Sequence, residues 1–420
     1  MDILVLKSFI PEIFLSLIIL AQLLFNTHIT NNLNFNFPTI NKELFIQTFF
    51  ILFCLFLLLL NLKIEGFFTN FLLCNEEGGR SIKLLFILCS LFVLTYVVKS
   101  FSVQKLNFFE FFYIFLFSIL SLLLLVSTHD LLSSYLALEM QALCFYILAS
   151  FKRNSAFSTE AGLKYFVSGS FISCIFLLGA SLIYGSLGTL NFNSLNQLLS
   201  FKFEQELDYL TYFIVFGSSC IISTLLFKIS AAPFHFWSPD VYEGAPLSST
   251  TIFSVLPKVV LFSFLINWIN TISTLSCFSS NILIFSGVLS VCIGTFFALR
   301  QKRMKRFIIY SSIAQVGFPV IAMSFPFLNS FISIYFFLIV YTLTSILVWG
   351  HYTLAYTCQQ KLNSFLKQDS SLLFISSFSN LFYTNKIWSL SFLWTQSPGS
   401  PHRLEVFQQD LPLRDICRTE

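Results

Sequence analysis

Charge is what this sequence most lacks. Only 10% of its 420 residues are Asp, Glu, Lys or Arg, against about 25% in a soluble domain. So few charges cannot coat a globule with hydrated surface, whereas lipid makes no such demand on apolar side chains. The charges nearly balance, to a formal +4, which speaks against nucleic acid as a partner. Ten cysteines are present, but no CxxC or CxxH spacing occurs. Cys54, Cys89, Cys144, Cys174, Cys220 and Cys292 each fall inside an apolar run and read as buried thiols, not as a disulfide or metal framework. A Gly-rich phosphate loop, zinc spacing and a nucleophile elbow are also missing. Neither a redox cofactor nor a metal nor covalent chemistry is therefore expected in this chain. Nor does the N-terminus look removable. The run from Ile10 to Phe25 is interrupted by Pro11-Glu12, no small-residue cleavage site follows, and the segment is too acidic and too poor in arginine for a transit peptide. That fits a chain made in the compartment where it works.

What is present is apolar: 56% of the chain is hydrophobic, with 56 phenylalanines. About 20 such residues cross a bilayer as helix. Eleven spans are expected, near 8–27, 43–62, 82–101, 107–127, 131–150, 163–184, 211–233, 247–268, 281–299, 306–325 and 329–350. A twelfth begins at Ile387 and stops after Trp394. The runs are apolar all round, which argues against transmembrane strands. The fold class expected is all-α integral membrane, with about eleven helices and a stub. The polar, proline-bearing tail 395–420 is expected to be poorly ordered.

Basic residues set the orientation. Lys99 and Lys105, Lys152 and Arg153, Arg300, Lys302, Arg303, Lys305 and Arg306, and Lys361 and Lys367 all fall in loops on one side. The opposite loops carry Glu76, Glu77 and Arg80, His129 and Asp130, and Lys202, Glu204, Glu206 and Asp208. The basic side is expected to face the matrix or cytoplasm, with the N-terminus on the other side.

Ionisable groups inside apolar spans are the informative residues. A charge at the bilayer centre costs about 2.5–3.5 kcal/mol on insertion scales, so it needs a partner, a wet cavity or neutrality. Glu139 lies within span five, Lys228 late in span seven and Lys258 in the middle of span eight. A lysine is the basic group that can hold or release a proton when buried, and a carboxylate beside it biases that choice. An acid and two lysines are the minimum equipment of a proton relay. The plainer alternative is a static buried pair, although an apolar pair would often pack helices as well. Pro233, five residues after Lys228, and Pro257, directly before Lys258, each remove a backbone donor and read as helix breakers. Broken membrane helices are tolerated where they line a wet cavity; an ordinary kink is the alternative. His235 reads equally as a proton shuttle or a structural histidine. Glu12, after Pro11, suits a helix N-terminus, and Glu110 suits an interface.

The segment FKISAAPFHFWSPDVYEGAP, Phe227 to Pro246, resembles the signature of NADH dehydrogenase subunit 2 proteins, which are antiporter-like membrane subunits of respiratory complex I. LALEMQALCFYILASF around Glu139, STEAGLKYFVSGSF from Ser158 and KRFIIYSSIAQVGF from Lys305 support it. The match runs in order from Pro11-Glu12 to about Trp394. The resemblance implies fourteen helices with two inverted five-helix repeats around broken helices seven and twelve. It implies that Glu139 and Lys228 form a pair and that Lys258 passes protons along a hydrophilic axis, driven by quinone reduction elsewhere. Segments of 1–106, 107–268 and 281–394 follow, the last an incomplete second repeat. NADH, FMN, iron–sulfur clusters and ubiquinone would belong to the rest of the complex, and the other membrane subunits and the bilayer would be the partners.

Two departures stand out. Gln315 takes the place of a histidine that many members carry after the YSSI motif, and glutamine cannot titrate. The family's lysine on helix twelve has no match, since Lys386 lies at the start of the stub; a partial or misread product is the expectation that suits the foreign-looking tail. Rival readings are a stand-alone cation/proton antiporter and a non-pumping structural subunit. The expected location is the mitochondrial inner membrane, with the N-terminus on the intermembrane-space side, or a bacterial plasma membrane.

Overall fold

In lipid a backbone can satisfy its own polar groups only as helix or closed barrel, and these runs form helices. The computed structural model describes residues 9–32, 37–61, 66–68, 73–75, 77–104, 110–202, 209–272, 276–325 and 328–368. In chain order the helices are α1 (Ile10–Asn32), α2 (Phe37–Asn61), α3 (Glu77–Gln104), α4 (Glu110–Ser127), α5 (Leu131–Ala149), α6 (Ala156–Leu187), α7 (Phe192–Lys202), α8 (Tyr209–Ile229), α9 (Trp237–Gly244), α10 (Leu247–Thr271), α11 (Ser276–Arg300), α12 (Met304–Ala322) and α13 (Leu328–Gln368). A small antiparallel ribbon, β1 (Gly66–Phe68) with β2 (Leu73–Asn75), lies between α2 and α3. Among the described residues, nine helices are long and apolar enough to span a bilayer. With α1, apolar over Ile10–Leu24, and α12, they account for all eleven expected spans. The all-helical membrane architecture is as expected.

The differences are local. Span seven, expected to reach residue 233, ends at Ile229, because Ser230 turns into the left-handed region with φ 67°. Span six begins earlier, at Ala156, and the short helices α7 and α9 had no apolar run to announce them. The stub 387–394 with Lys386, the tail 395–420, and Glu76, Lys105, Glu204, Glu206 and Asp208 lie outside the described residues. Contacts join Met1–Thr357 into one compact unit and Cys358–Glu420 into another.

Helix α10 is the axis of the bundle. Its apolar window is 94% buried, against 33% for those of α6, α11 and α13, which keep most of their surface for lipid. α3, α4, α5 and α8 surround it. With no water to drive helices together in lipid, close packing must do so. Gly179 of α6 faces Gly217 of α8, where a Cβ on either would meet the other's carbonyl at 2.7 or 2.9 Å.

The chain ends gather on two faces. On one, Glu243 of α9 meets Arg303 and Arg306, and Asp240 lies 3.8 Å from Lys164 of α6. On the other, Asp130 bridges to Asn191, His129 bonds Asn193 at 2.9 Å, and Gly78 shares a cavity with Asn270 and Thr271. The basic loop between α11 and α12 thus shares a face with the start of α6, as the loop charges required.

Candidate functional site

The site is built around the end of α8. There the helix stops one residue after Lys228, and its last carbonyls find substitutes for the missing turn. Phe227 O accepts from Ser230 N at 2.9 Å and from the indole of Trp237 at 3.0 Å, and Leu226 O accepts from Ala231 N at 2.9 Å. Pro233 stands in the connection to α9, beyond this cap. It keeps the chain from resuming a helix, since proline cannot extend one.

Pro257 does not break its helix, so of its two readings the helix-breaking one does not apply. α10 runs unbroken from Leu247 to Thr271 with the proline inside. The missing N–H of Pro257 would orphan the carbonyl one turn back, at Phe253. The Tyr242 hydroxyl, from α9, donates to Phe253 O at 3.2 Å. A donor from outside the helix closes the gap, so the helix has no need to open.

Three ionisable side chains lie where they were expected, but differently partnered. Lys228 is half-buried, and its Nζ donates to the carbonyl of Leu138 on α5 at 3.3 Å. Glu139, the next residue, is within Coulombic range of that ammonium. Among the described residues no ion pair joins the two, and Glu139 Oε1 is buried without a hydrogen-bond partner. The expected contact pair is thus a spaced pair. Lys258 is 2% exposed in the middle of α10. Its Nζ donates to the Tyr341 hydroxyl of α13 at 2.7 Å and lies 5.1 Å from the centre of that ring, a cation–π contact. Tyr341 in turn points its hydroxyl at Ser254 O, at a long 3.4 Å. Tyr341 went unnoticed in the sequence, where it is one aromatic among many in an apolar run.

Between α5, α6, α8, α9 and α10 lies a cavity of about 20 Å³ lined by Gln141, Tyr146, Lys228, Trp237, Tyr242 and Pro257, among others. Trp237 stacks flat on Tyr165 of α6, with 4.7 Å between centroids and 1° between planes. Gly169 also borders it; a Cβ there would fall 1.9 Å from the Tyr146 hydroxyl. The space is thus walled by rings and lined by one polar side chain each from α5 and α8, Gln141 and Lys228.

His235, between α8 and α9, is 3% exposed, and its Nδ1 is buried without a partner. Burial pushes its imidazole below the usual pKa, against the pull of the Pro233 carbonyl. Outside the span, Glu243 accepts from both Arg303 and Arg306, and Arg306 also bonds Asp240 at 3.1 Å. Lys305 donates to Ala245 O at 2.9 Å. Burial opposes ionisation of Glu243, but the two arginines outweigh it and hold the carboxyl below its usual range. This cluster ties the end of α9 to the start of α12. A second buried pair, Glu12 of α1 with Lys83 of α3, has side chains 5% and 2% exposed. The sequence reading placed Glu12 at a helix start and passed over Lys83.

Residues 128–396 match the family described as NADH:quinone oxidoreductase/Mrp antiporter, TM. The NADH-quinone oxidoreductase subunit N of Wolbachia sp. subsp. Brugia malayi is 39% identical over 239 residues, 56% of this chain and 50% of that protein. The NADH-ubiquinone oxidoreductase chain 2 of Oenothera berteroana is 35% identical over 286 residues, 68% of this chain and 58% of that one. The chain thus spans between half and two-thirds of the length of these relatives. A chain of respiratory complex I from Thermus thermophilus with bound aureothin shares the fold, with a TM-score of 0.60 at 24% identity over 84% of this chain and 70% of that one. So does a chain of the membrane-bound sulfane sulfur reductase, an archaeal respiratory membrane complex, with a TM-score of 0.59 at 24% identity, over 83% and 70%. A signature centred on the break after Lys228, a fold built around a buried lysine helix and a match over most of the chain agree: the protein belongs to the NADH:quinone oxidoreductase/Mrp antiporter transmembrane family.

Proposed function

We propose that this chain carries protons across a membrane as a subunit of an NADH:quinone oxidoreductase, with Glu139, Lys228 and Lys258 as relay groups. The observation that carries the reading is Lys258. A lysine 2% exposed in the central membrane helix, bonded only to a neutral hydroxyl among the described residues, is an expensive way to pack helices and an apt way to hold a proton. The spaced Glu139 supplies a field that favours charge on Lys228 without quenching it. His235, buried beside the break with an unpartnered Nδ1, serves on this reading as a shuttle. NADH, FMN, iron–sulfur clusters and quinone belong on this reading to other subunits, which are also the partners. The relatives in plant mitochondria favour the inner mitochondrial membrane, with the basic face in the matrix and the N-terminus in the intermembrane space.

The test is Lys228→Ala in the assembled complex. Assembly should be normal and protons moved per NADH oxidised should fall several-fold; unchanged pumping would sink the relay. The family's description also embraces antiporters, which favours cation/proton exchange as the second reading. Sodium-dependent proton movement without NADH would select it.

A further inference from the structure

The ring-walled cavity beside Lys228 holds a polar group that the relay does not use. Gln141 follows Glu139 by two residues on α5, is 5% exposed, and lines the cavity. Its Oε1 is buried and accepts no hydrogen bond. A buried acceptor left so is unfavourable, and a partner in the cavity would remove that penalty. Lys228 lines the same cavity, and its ammonium has three donors, of which one makes a long bond of 3.3 Å to Leu138 O. The cavity of about 20 Å³ exceeds the ~10–15 Å³ that one water requires, and two or more polar partners are what such a water needs. Two of the other polar lining groups are already committed. The Trp237 indole is committed to Phe227 O and the Tyr242 hydroxyl to Phe253 O.

We propose that this cavity is an ordered-water site, in which the water accepts from the Lys228 ammonium and donates to Gln141 Oε1, making Gln141 a positioning residue for that lysine. An amide flip would exchange acceptor for donor at Gln141 and leave the same need for a water. The rings of Tyr146, Trp237 and Tyr242 leave room for little more than this one molecule. The water holds the ammonium in the cavity, which Pro257 of α10 also lines. Without it, Lys228 relaxes onto the Leu138 carbonyl and the side of Glu139. The effect on pumping rests on the function proposed above; the water site itself does not.

Two measurements on the assembled complex decide the matter. A density map fine enough to show waters should contain one within hydrogen-bond distance of both Gln141 Oε1 and Lys228 Nζ. An empty cavity overturns the site whether or not any variant assembles. Gln141→Leu, which keeps the bulk and removes the acceptor, should lower protons moved per NADH several-fold, and Gln141→Glu should restore most of the loss. Normal pumping by Gln141→Leu alongside deficient Lys228→Ala overturns the positioning role and leaves the relay standing. Normal pumping by both overturns the relay itself.

Discussion

Removing the Tyr242 hydroxyl tests how α10 stays whole across Pro257. In Tyr242→Phe the ring remains and the only loss is the donor to Phe253 O. That carbonyl lies in a helix whose residues from Leu247 to Ile266 are all buried, so bulk water does not replace the donor. An unsatisfied buried acceptor costs about 1–3 kcal/mol. The bond is 3.2 Å long, beyond the usual O–H···O range, so the lower end, about 1 kcal/mol, is the expected loss. Pro257→Ala supplies the missing internal donor, because the new N–H at 257 can reach Phe253 O. In that background the hydroxyl becomes redundant and Tyr242→Phe should cost no more than a few tenths of a kcal/mol. The pair should therefore couple by about 1 kcal/mol in a double-mutant cycle. Thermal unfolding of the four proteins in lipid nanodiscs reads the cycle directly. Equal penalties for Tyr242→Phe with and without Pro257 would refute the reasoning, because the hydroxyl would then be stabilising something other than the carbonyl that proline frees.

Two further outcomes follow from the ion pairs. Lys83→Met leaves Glu12 buried and alone and should cost about 3–5 kcal/mol, whereas Glu12→Leu with Lys83→Met should be close to neutral; the same thermal assay compares them, and an additive double variant would contradict the pairing. Glu243→Gln should cost about 1–2 kcal/mol at pH 7, a charge-assisted bond to Arg306 plus a smaller share from Arg303, which is 72% exposed and screened. Because the folded carboxyl titrates below its usual range, its contribution is complete above the unfolded carboxylate pKa and is lost as pH falls through the folded value. The gap between wild type and Glu243→Gln should hold constant from pH 8 to about 5 and close only in stronger acid; a gap that opened or closed near neutral pH would show that another group titrates.

Helix positions were legible because in a bilayer they depend on little but apolar length: the eleven spans, from the run at Ile10 to that at Ile332, each became a helix. The site residues were legible for the same reason inverted. Glu139, Lys228 and Lys258 are ionisable groups where lipid tolerates none without cause. Partnership was not legible. Tyr341, 83 residues from Lys258, and Lys83, 71 from Glu12, look like ordinary members of their runs. Whether Pro257 breaks its helix was not legible, because a proline's effect depends on whether a donor outside the helix reaches the carbonyl it frees.

The sequence by itself determined that this chain lives in lipid as helix, which face its basic loops share, and that Glu139, Lys228 and Lys258 fall inside spans, since each follows from local composition and length. The tertiary structure alone decided that Glu139 stands off from Lys228, that Lys258 rests on a tyrosine, and that Tyr242 keeps α10 intact. Hydrogen bonds require atoms within about 3 Å of each other, and only packing brings residues of different helices that close.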